Sequence, residues 1–192
     1  MTPEQFLDII ATAGKLKTTP RHCFTEPGRY ESVADHSWRI ALMAMLLSNE
    51  PEFSEMRMDR VIRMCLIHDL GEAFTGDIPT FMKNESHEIQ EDTLLNNWIS
   101  GFPEDVRQEW TALLLEMNAL ETKEAKLYKA LDKLEAVISH NESDLSTWLP
   151  LEYDLQLTYG KENVRFSAFL SALSKAIDQV TRQKIEGESS PR

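Results

Sequence analysis

The spacing of apolar residues is the feature of this chain that most constrains its fold. Apolar side chains recur at intervals of three and four residues along most of the sequence, alternating runs of β-branched residues are missing, and only seven glycines are available for turns. This pattern predicts an all-α protein. Its 192 residues, of which 42% are hydrophobic, are enough to bury one core, so a single bundle of helices is expected.

The same spacing predicts where the helices lie. They are expected at about residues 3–14, 32–48, 57–69, 86–100, 103–118, 122–140 and 162–185. Residues 18–30 contain Pro20, Pro27 and Gly28 and are predicted to form an irregular loop that carries binding groups. The pattern assigns no element to residues 145–159. One domain is expected over residues 1–186, followed by a disordered tail at residues 187–192.

Charge and cysteine content limit the class of partner and the compartment. The net charge of −12 and the lack of a Lys/Arg-rich stretch argue against nucleic acid polymers and anionic membranes as partners. A small phosphorylated substrate stays compatible with this charge, because a bound cation and one or two arginines reverse the sign inside a pocket. Two cysteines give no disulfide framework, and neither a signal peptide nor an apolar segment of ~20 residues is found, so a cytoplasmic location is expected.

Three polar residues lie on the apolar stripes of the second and third predicted helices. An ionised carboxylate such as Asp69 is costly in a core unless it is paired or bound to metal. The short connection between these helices predicts antiparallel packing. At 1.5 Å per residue, His36 lies about 18 Å from the end of its helix and His68 about 17 Å from the start of the next. His36, His68 and Asp69 should therefore converge.

Imidazole and carboxylate ligands together suit one divalent ion of the first transition row, Mn, Co, Fe, Ni or Zn, rather than Mg. Glu72 lies one helical turn beyond His68, within reach of a metal-bound water as a general base or of His68 as an orienting group. Asp132 lies at the edge of an apolar stripe, and spacing alone does not bring its helix to the other three residues.

Three motifs, in order, resemble those of HD-domain phosphohydrolases, and of their 5′-deoxynucleotidase-like branch in particular. They are Glu31-Ser-Val-Ala-Asp-His36-Ser-Trp, His68-Asp69-Leu-Gly-Glu72 with Thr75-Gly-Asp77-Ile-Pro79, and Ala130-Leu-Asp132-Lys-Leu-Glu135. The resemblance implies a single HD domain over residues 1–186. It also implies metal-assisted hydrolysis of the 5′-phosphate of (deoxy)nucleoside monophosphates by attack of a metal-bound water.

By this resemblance one divalent ion would be held by His36, His68, Asp69 and Asp132. Arg21 would bind the substrate phosphate, a role that suits its fork of donors. Glu72 would help deliver the attacking water. Asp77 would act near the sugar or leaving group, as a substrate-binding and catalytic residue. The bacterial deoxynucleotidases place a deoxyribose-selecting tryptophan where this chain has His22, so the preferred sugar is left open. A homodimer is implied as well.

Other interpretations of these residues stay open from sequence. His36 could be a satisfied core histidine, and Asp132 a solvated helix residue paired with Lys129 or Lys133. Arg21 and Glu72 could be surface residues, and Asp77 a turn former.

Two other functions are open as well. The same site could hydrolyse nucleoside triphosphates or phosphorylated nucleoside analogues, or the chain could be a non-catalytic metal- or nucleotide-binding module. A diiron oxygenase is disfavoured, because the histidines for a second iron are not evident.

Overall fold

The computed structural model describes residues 1–188, and the predicted all-α architecture is confirmed. The helices are α1 (Pro3–Ala13), α2 (Val33–Leu47), α3 (Met58–Ile67), α4 (Glu72–Thr75), α5 (Glu85–Ser100), α6 (Glu104–Ala119), α7 (Lys123–Glu142), α8 (Glu152–Thr158) and α9 (Ala168–Glu188). Short 3-10 turns occupy Gly14–Lys17, Pro51–Phe53 and Leu145–Thr147. No helix within residues 1–188 has the length and apolar character needed to cross a membrane.

The prediction of an irregular loop over residues 18–30 is wrong, because this segment forms a β-hairpin. Strands β1 (Pro20–Glu26) and β2 (Arg29–Ser32) pair antiparallel, and the rings of Phe24 and Tyr30 stack across them with centroids 4.2 Å apart. Pro27 and Gly28 form the connection, with Gly28 at a φ of 80°. Proline followed by a glycine with positive φ is the combination that a type II turn favours. These two residues therefore join two strands.

The C-terminal part of the chain also departs from the predicted boundaries. Part of residues 145–159 is helical, as α8, and α9 begins at Ala168, six residues after the predicted start at Glu162. Turns precede α9, with Gly160 at a φ of 70°. The helix continues through Glu188, two residues into the predicted tail. The rest of that tail, residues 189–192, lies outside the described residues.

The core forms where α2, α3 and α7 pack against one another. α2 begins with a capping box between Ser32 and Asp35, and α7 begins at the N-cap Thr122. The apolar face of α7, with Leu127 and Leu131 almost fully buried, lies against the other two helices. The short connection from α2 to α3 returns the chain on itself, which brings the start of α2 beside the end of α3.

Replacing Leu131 with alanine is expected to lower the free energy of unfolding by about 2–5 kcal/mol, because the side chain is 1% exposed and its loss leaves a cavity among three helices. Chemical denaturation followed by circular dichroism measures this change. Leu115→Ala is the control, since Leu115 on α6 is 66% exposed, and its effect should stay within about 0.5 kcal/mol. Equal losses in the two variants would contradict this account of the core.

Candidate metal centre

Four polar side chains from three helical segments converge at one end of the core. α2 places His36, the residues that follow α3 place His68 and Asp69, and α7 places Asp132. His68 Nε2 lies 3.0 Å from Asp69 Oδ2 and 3.9 Å from Asp132 Oδ1. His36 Nε2 lies 3.3 Å from Asp132 Oδ1 and 3.8 Å from Asp69 Oδ2. The histidine rings are 5.3 Å apart, in agreement with the predicted matching levels of the two helices.

Nδ1 of each histidine, His36 and His68, faces a hydrogen-bond acceptor. Nδ1 of His68 donates to the carbonyl of Cys65 at 2.9 Å, and Nδ1 of His36 donates to the carboxylate of Glu135. Neither Nε2 atom makes a hydrogen bond, although both are buried. In a neutral imidazole a proton on Nδ1 leaves the Nε2 lone pair free, so in this form both rings would present a ligating nitrogen to the same point.

The donor atoms fit a divalent ion. Two imidazole nitrogens and two carboxylate oxygens form a ligand set that first-row transition metals accept. Ligands bonded at about 2.1 Å stand about 3–3.5 Å from one another, which is close to the separations found in this cluster. Two orphaned buried nitrogens facing two carboxylates are costly in a protein interior unless something binds between them. The residues therefore suit a metal centre with open positions.

Charge in the cluster is balanced by its neighbours. Burial and the charge of Arg21 oppose protonation of His36, but the carboxylates of Asp132 and Glu135 prevail and raise its pKa to about 9. Burial also opposes ionisation of the two aspartates, yet His68 lowers the pKa of Asp69, and Lys129 and Lys133 lower that of Asp132. Both carboxylates are therefore anionic at neutral pH, as metal ligands must be, whereas the raised pKa of His36 means that a bound ion would displace a proton from this ring.

A second group of acids and imidazole, Glu31, His36 and Glu135, is fully buried but already paired. Arg21 Nε lies 3.0 Å from Glu31 Oε2, and Arg39 Nε lies 3.4 Å from Glu135 Oε1. Two guanidinium groups thus supply the positive charge that a cation would bring. We interpret this group as the support of the candidate metal centre rather than as another ion site.

A cavity of about 210 Å³ opens beside the four residues. Its wall contains Arg21 on β1, Glu72 at the start of α4 and Asp77 just after that helix. Arg21 lies 3.6 Å from Asp69 Oδ2, so its charge borders the candidate metal centre. Five of the seven residues singled out in the sequence line this cavity, and the other two, His36 and His68, contact its residues Asp69 and Asp132.

Glu72 and Asp77 are acids in an environment that favours their neutral forms. Glu72 is 4% exposed, and one of its carboxyl oxygens makes no hydrogen bond. Burial, followed by the negative charges of Asp69 and Asp77, raises the pKa of Glu72 to about 10. Burial also raises the pKa of Asp77, against the opposing charge of Arg21. Perturbed acids on a cavity wall are typical of functional sites.

The cavity also contains Lys129, Lys133 and Glu152, to which the sequence assigned no role in the site. Lys129 and Lys133 line it beside Asp132, and on another wall the buried carboxylate of Glu152 lies 3.3 Å from His22 and 3.0 Å from His140. The two lysines could be found from the sequence, because Lys129 precedes Asp132 by one helical turn and Lys133 directly follows it. The Glu152 cluster has no such sequence signal, because it joins α7 and α8 to β1, which lies far from both in the sequence.

Comparison with known proteins identifies similar sequences. A family model described as HD domain matches residues 13–174 of this chain. Human 5′-deoxynucleotidase HDDC2 is 34% identical over 143 residues, which cover 72% of this chain and 66% of the human protein. The 5′-deoxynucleotidase hdd1 of Schizosaccharomyces pombe is 30% identical over 161 residues, which cover 74% of this chain and 78% of the yeast protein. The aligned region thus leaves about a third of the human protein unmatched.

Solved structures extend the likeness to the fold. A protein described as a predicted metal-dependent phosphohydrolase from Magnetospirillum magnetotacticum MS-1 superposes with a TM-score of 0.77 at 31% identity, covering 94% of this chain and 93% of that one. A conserved hypothetical protein from Pyrococcus furiosus gives a TM-score of 0.66 at 32% identity, covering 92% and 99%. The helical arrangement that builds the cavity is therefore shared over almost the whole chain.

In metal-free protein, Glu72→Gln is expected to raise the free energy of unfolding, by an amount that grows as the pH rises from about 4.5 toward 10. Because the pKa of Glu72 is raised from 4.5 to about 10, the folded state binds more protons than the unfolded state across this window. Stability contributed by the protonated form is therefore complete below the lower value and is lost as the pH rises to the upper one. Glutamine has nearly the same shape as glutamic acid but does not titrate, so the variant does not lose this stability as the pH rises.

Urea denaturation at about pH 5, 7 and 9 in the presence of a chelator measures this difference. Glu55→Gln, at an exposed position, is the matched control, and the difference between its free energy of unfolding and that of wild type should change little with pH. A difference between Glu72→Gln and wild type that is constant over the whole range would show that Glu72 titrates normally.

Proposed function

This chain belongs to the HD-domain family, and on that premise we propose that it is a metal-dependent phosphohydrolase that removes the 5′-phosphate from nucleoside monophosphates, deoxynucleotides among them. The human and yeast relatives named 5′-deoxynucleotidase support the substrate class. The observation that carries the proposal is the convergence of two unpartnered imidazole nitrogens and two carboxylates beside a cavity that also contains Arg21. Inorganic phosphate and a nucleoside are the products.

We propose that His36, His68, Asp69 and Asp132 hold one divalent ion, Mn, Co, Fe, Ni or Zn rather than Mg. Their mixed nitrogen and oxygen donors support this choice. When bound, such an ion polarises phosphoryl oxygens, lowers the pKa of coordinated water and favours the ionised form of nearby acids. Glu135 and the carbonyl of Cys65 keep the two imidazoles in the tautomer that ligation requires.

The remaining site residues act on the substrate. Arg21, held by Glu31 and bordering Asp69, presents guanidinium donors to the phosphate. Glu72, buried on the cavity wall and ionised only when a bound ion favours that form, would take the proton of the attacking water or orient that water toward phosphorus. Asp77, on the same cavity wall, acts near the sugar or the departing 5′-oxygen.

The first test is phosphate release from a panel of ribo- and deoxynucleoside mono-, di- and triphosphates, using metal-stripped protein reloaded with each ion. Release from monophosphates that requires metal is expected, and Asp69→Ala should reduce it to background because the variant lacks a ligand carboxylate. Asp59→Ala, at an exposed position in the first turn of α3, is the control and should keep wild-type activity.

The panel also separates the rival functions. Release only from triphosphates would replace the proposed nucleotidase with a nucleoside triphosphate hydrolase. Metal binding without release from any nucleotide would favour a non-catalytic binding module. The comparison of ribo- and deoxynucleotides tests whether a chain with His22 at this position prefers either sugar.

We also propose a homodimer. α2 exposes a stripe of large apolar side chains along one face, at positions i, i+4, i+7 and i+8: Trp38, Leu42, Met45 and Leu46. Trp38 is 63% exposed and Leu46 68% exposed. An apolar helix stripe in contact with water is typical of a protein interface, and a two-fold axis lets the same stripe cover itself. This face of α2 is the proposed contact between two copies.

Wild-type protein is therefore expected to show twice the 22.1 kDa chain mass by light scattering, and Leu46→Asp is expected to shift it toward the monomer. Two buried aspartates near a two-fold axis lose solvation without gaining a partner, which opposes association. Leu115→Asp adds the same charge at an exposed leucine of α6 and should leave the mass unchanged. A wild-type monomer, or equal effects of the two substitutions, would rule out this interface.

A cytoplasmic location is proposed from the cysteines. Cys23 and Cys65 are both buried and free, and they lie in different parts of the structure, one in β1 and one in α3. Buried thiols without a disulfide are ordinary in a reducing compartment.

A further inference from the structure

Lys129 is a cation on the cavity wall that has only part of its hydrogen-bonding capacity used. It lies on α7, one turn before Asp132, and its ammonium is 3.0 Å from Asp132 Oδ2. The other oxygen of the same carboxylate, Oδ1, faces His36 and His68. One oxygen of Asp132 thus lies toward the candidate metal centre, and the other lies toward Lys129. The Lys129 side chain is 29% exposed and lines the cavity.

Lys133, the neighbouring lysine, is engaged elsewhere. Its ammonium is 3.4 Å from Asp132 Oδ2, but it donates to the Tyr159 hydroxyl at 2.7 Å and lies 4.9 Å from the centre of that ring. Lys129 has one carboxylate contact at hydrogen-bond distance and a more distant ring contact, 5.8 Å from Tyr128. An ammonium has three N–H donors, so Lys129 keeps donors that can turn toward a ligand in the cavity.

The cations of the cavity are distributed in a way that matches a phosphate. Arg21 stands beside Asp69, and Lys129 stands beside Asp132. Each carboxylate of the ligand set therefore has its own cation on the cavity side. When an ion binds between the two carboxylates it takes over their neutralisation, and both cations can then interact with an anion that enters the cavity. A phosphoryl group with several anionic oxygens offers acceptors to both.

We propose that Lys129 is a phosphate-binding residue that donates to a phosphoryl oxygen of the substrate, in partnership with Arg21. The ligand chemistry is that of a phosphomonoester or of inorganic phosphate. The inference rests on the proposed function for the identity of the molecule that carries the phosphate, but not for the binding of phosphate itself.

A purely structural role for Lys129 makes a different prediction. If Lys129 only held Asp132 in position, as an i,i+3 ion pair on α7 does, its removal would weaken metal binding, and phosphate binding would fall as a consequence. If Lys129 binds phosphate, removal of its charge leaves metal affinity unchanged or improved, because one positive charge beside a ligand carboxylate is gone. Metal affinity and phosphate affinity thus distinguish the two roles.

The experiment compares the full-length wild-type protein with Lys129→Met, Lys129→Arg and Lys126→Met. Methionine keeps much of the stem and removes the charge, and arginine restores the charge. Lys126 is an exposed lysine one turn earlier on α7 and is the matched control. Isothermal titration calorimetry measures Mn²⁺ binding to the metal-free proteins and inorganic phosphate binding to the Mn²⁺-loaded proteins. Circular dichroism checks that each variant is folded.

Lys129→Met is expected to weaken phosphate binding about 10- to 100-fold, the loss typical of a hydrogen bond to a charged group, while Mn²⁺ binds at least as tightly as in wild type. Lys129→Arg should recover most of the phosphate affinity. Lys126→Met should bind both Mn²⁺ and phosphate as tightly as wild type. Unchanged phosphate affinity in Lys129→Met would overturn the proposal. So would a loss of Mn²⁺ affinity of equal size, or a wild-type protein that binds no phosphate at millimolar concentration.

Nucleotide turnover is scored separately. If wild-type protein binds phosphate through Lys129 but releases none from any nucleotide, the proposed function fails and this inference stands. If nucleotides are hydrolysed and Lys129→Met has wild-type phosphate affinity, the proposed function stands and this inference fails.

Discussion

The rest of the structure depends on the way α7 packs against α2. This contact brings two carboxylates of α7 beside the two ring nitrogens of one buried histidine, His36. Asp132 faces Nε2 of His36, and Glu135, one turn further along α7, accepts from Nδ1. His36 and Glu135 are fully buried. Such a pair is stable only when its charges are satisfied, and Arg39 meets the remaining oxygen of Glu135 at 3.4 Å. The contact between α7 and α2 therefore both packs the core and orients His36, a candidate metal ligand.

The hairpin extends this arrangement to the cavity. β1 carries Arg21, and Glu31 of β2 holds its Nε while also accepting from Ser139 of α7 at 2.6 Å. The hairpin is thereby tied to the helix that carries Asp132, and Arg21 is positioned relative to the candidate metal centre. A segment without much apolar content is ordered by buried polar contacts, which are strong when every partner is satisfied.

Local chemistry explains which features could be predicted from the sequence. The capping box at Ser32 and the apolar stripes of α2 and α3 are short-range signals, and helix rise alone was enough to predict that His36 and His68 meet. The hairpin was missed because β1 lacks β-branched alternation and is ordered by tertiary contacts. Spacing assigned Asp132 and Glu135 to a helix but not to the site, since only the packing of α7 determines which residues they face, and Asp132 was linked to the site by the family resemblance alone. The cluster of His22, His140 and Glu152 depends entirely on such packing.

The acids around the cavity show why the overall charge of the chain says little about its chemistry. The chain has 32 acidic residues, and four of them, Asp69, Glu72, Asp77 and Asp132, lie close together with little access to water. Without an ion, the fold lowers this repulsion in two ways: cations stand beside Asp69 and Asp132, and Glu72 stays protonated at neutral pH. A divalent ion bound between the aspartates would relieve the same repulsion and release the cations toward the cavity. A strongly acidic protein would thus present a locally positive site to a phosphate, because the carboxylates that would hold the ion also have cations beside them.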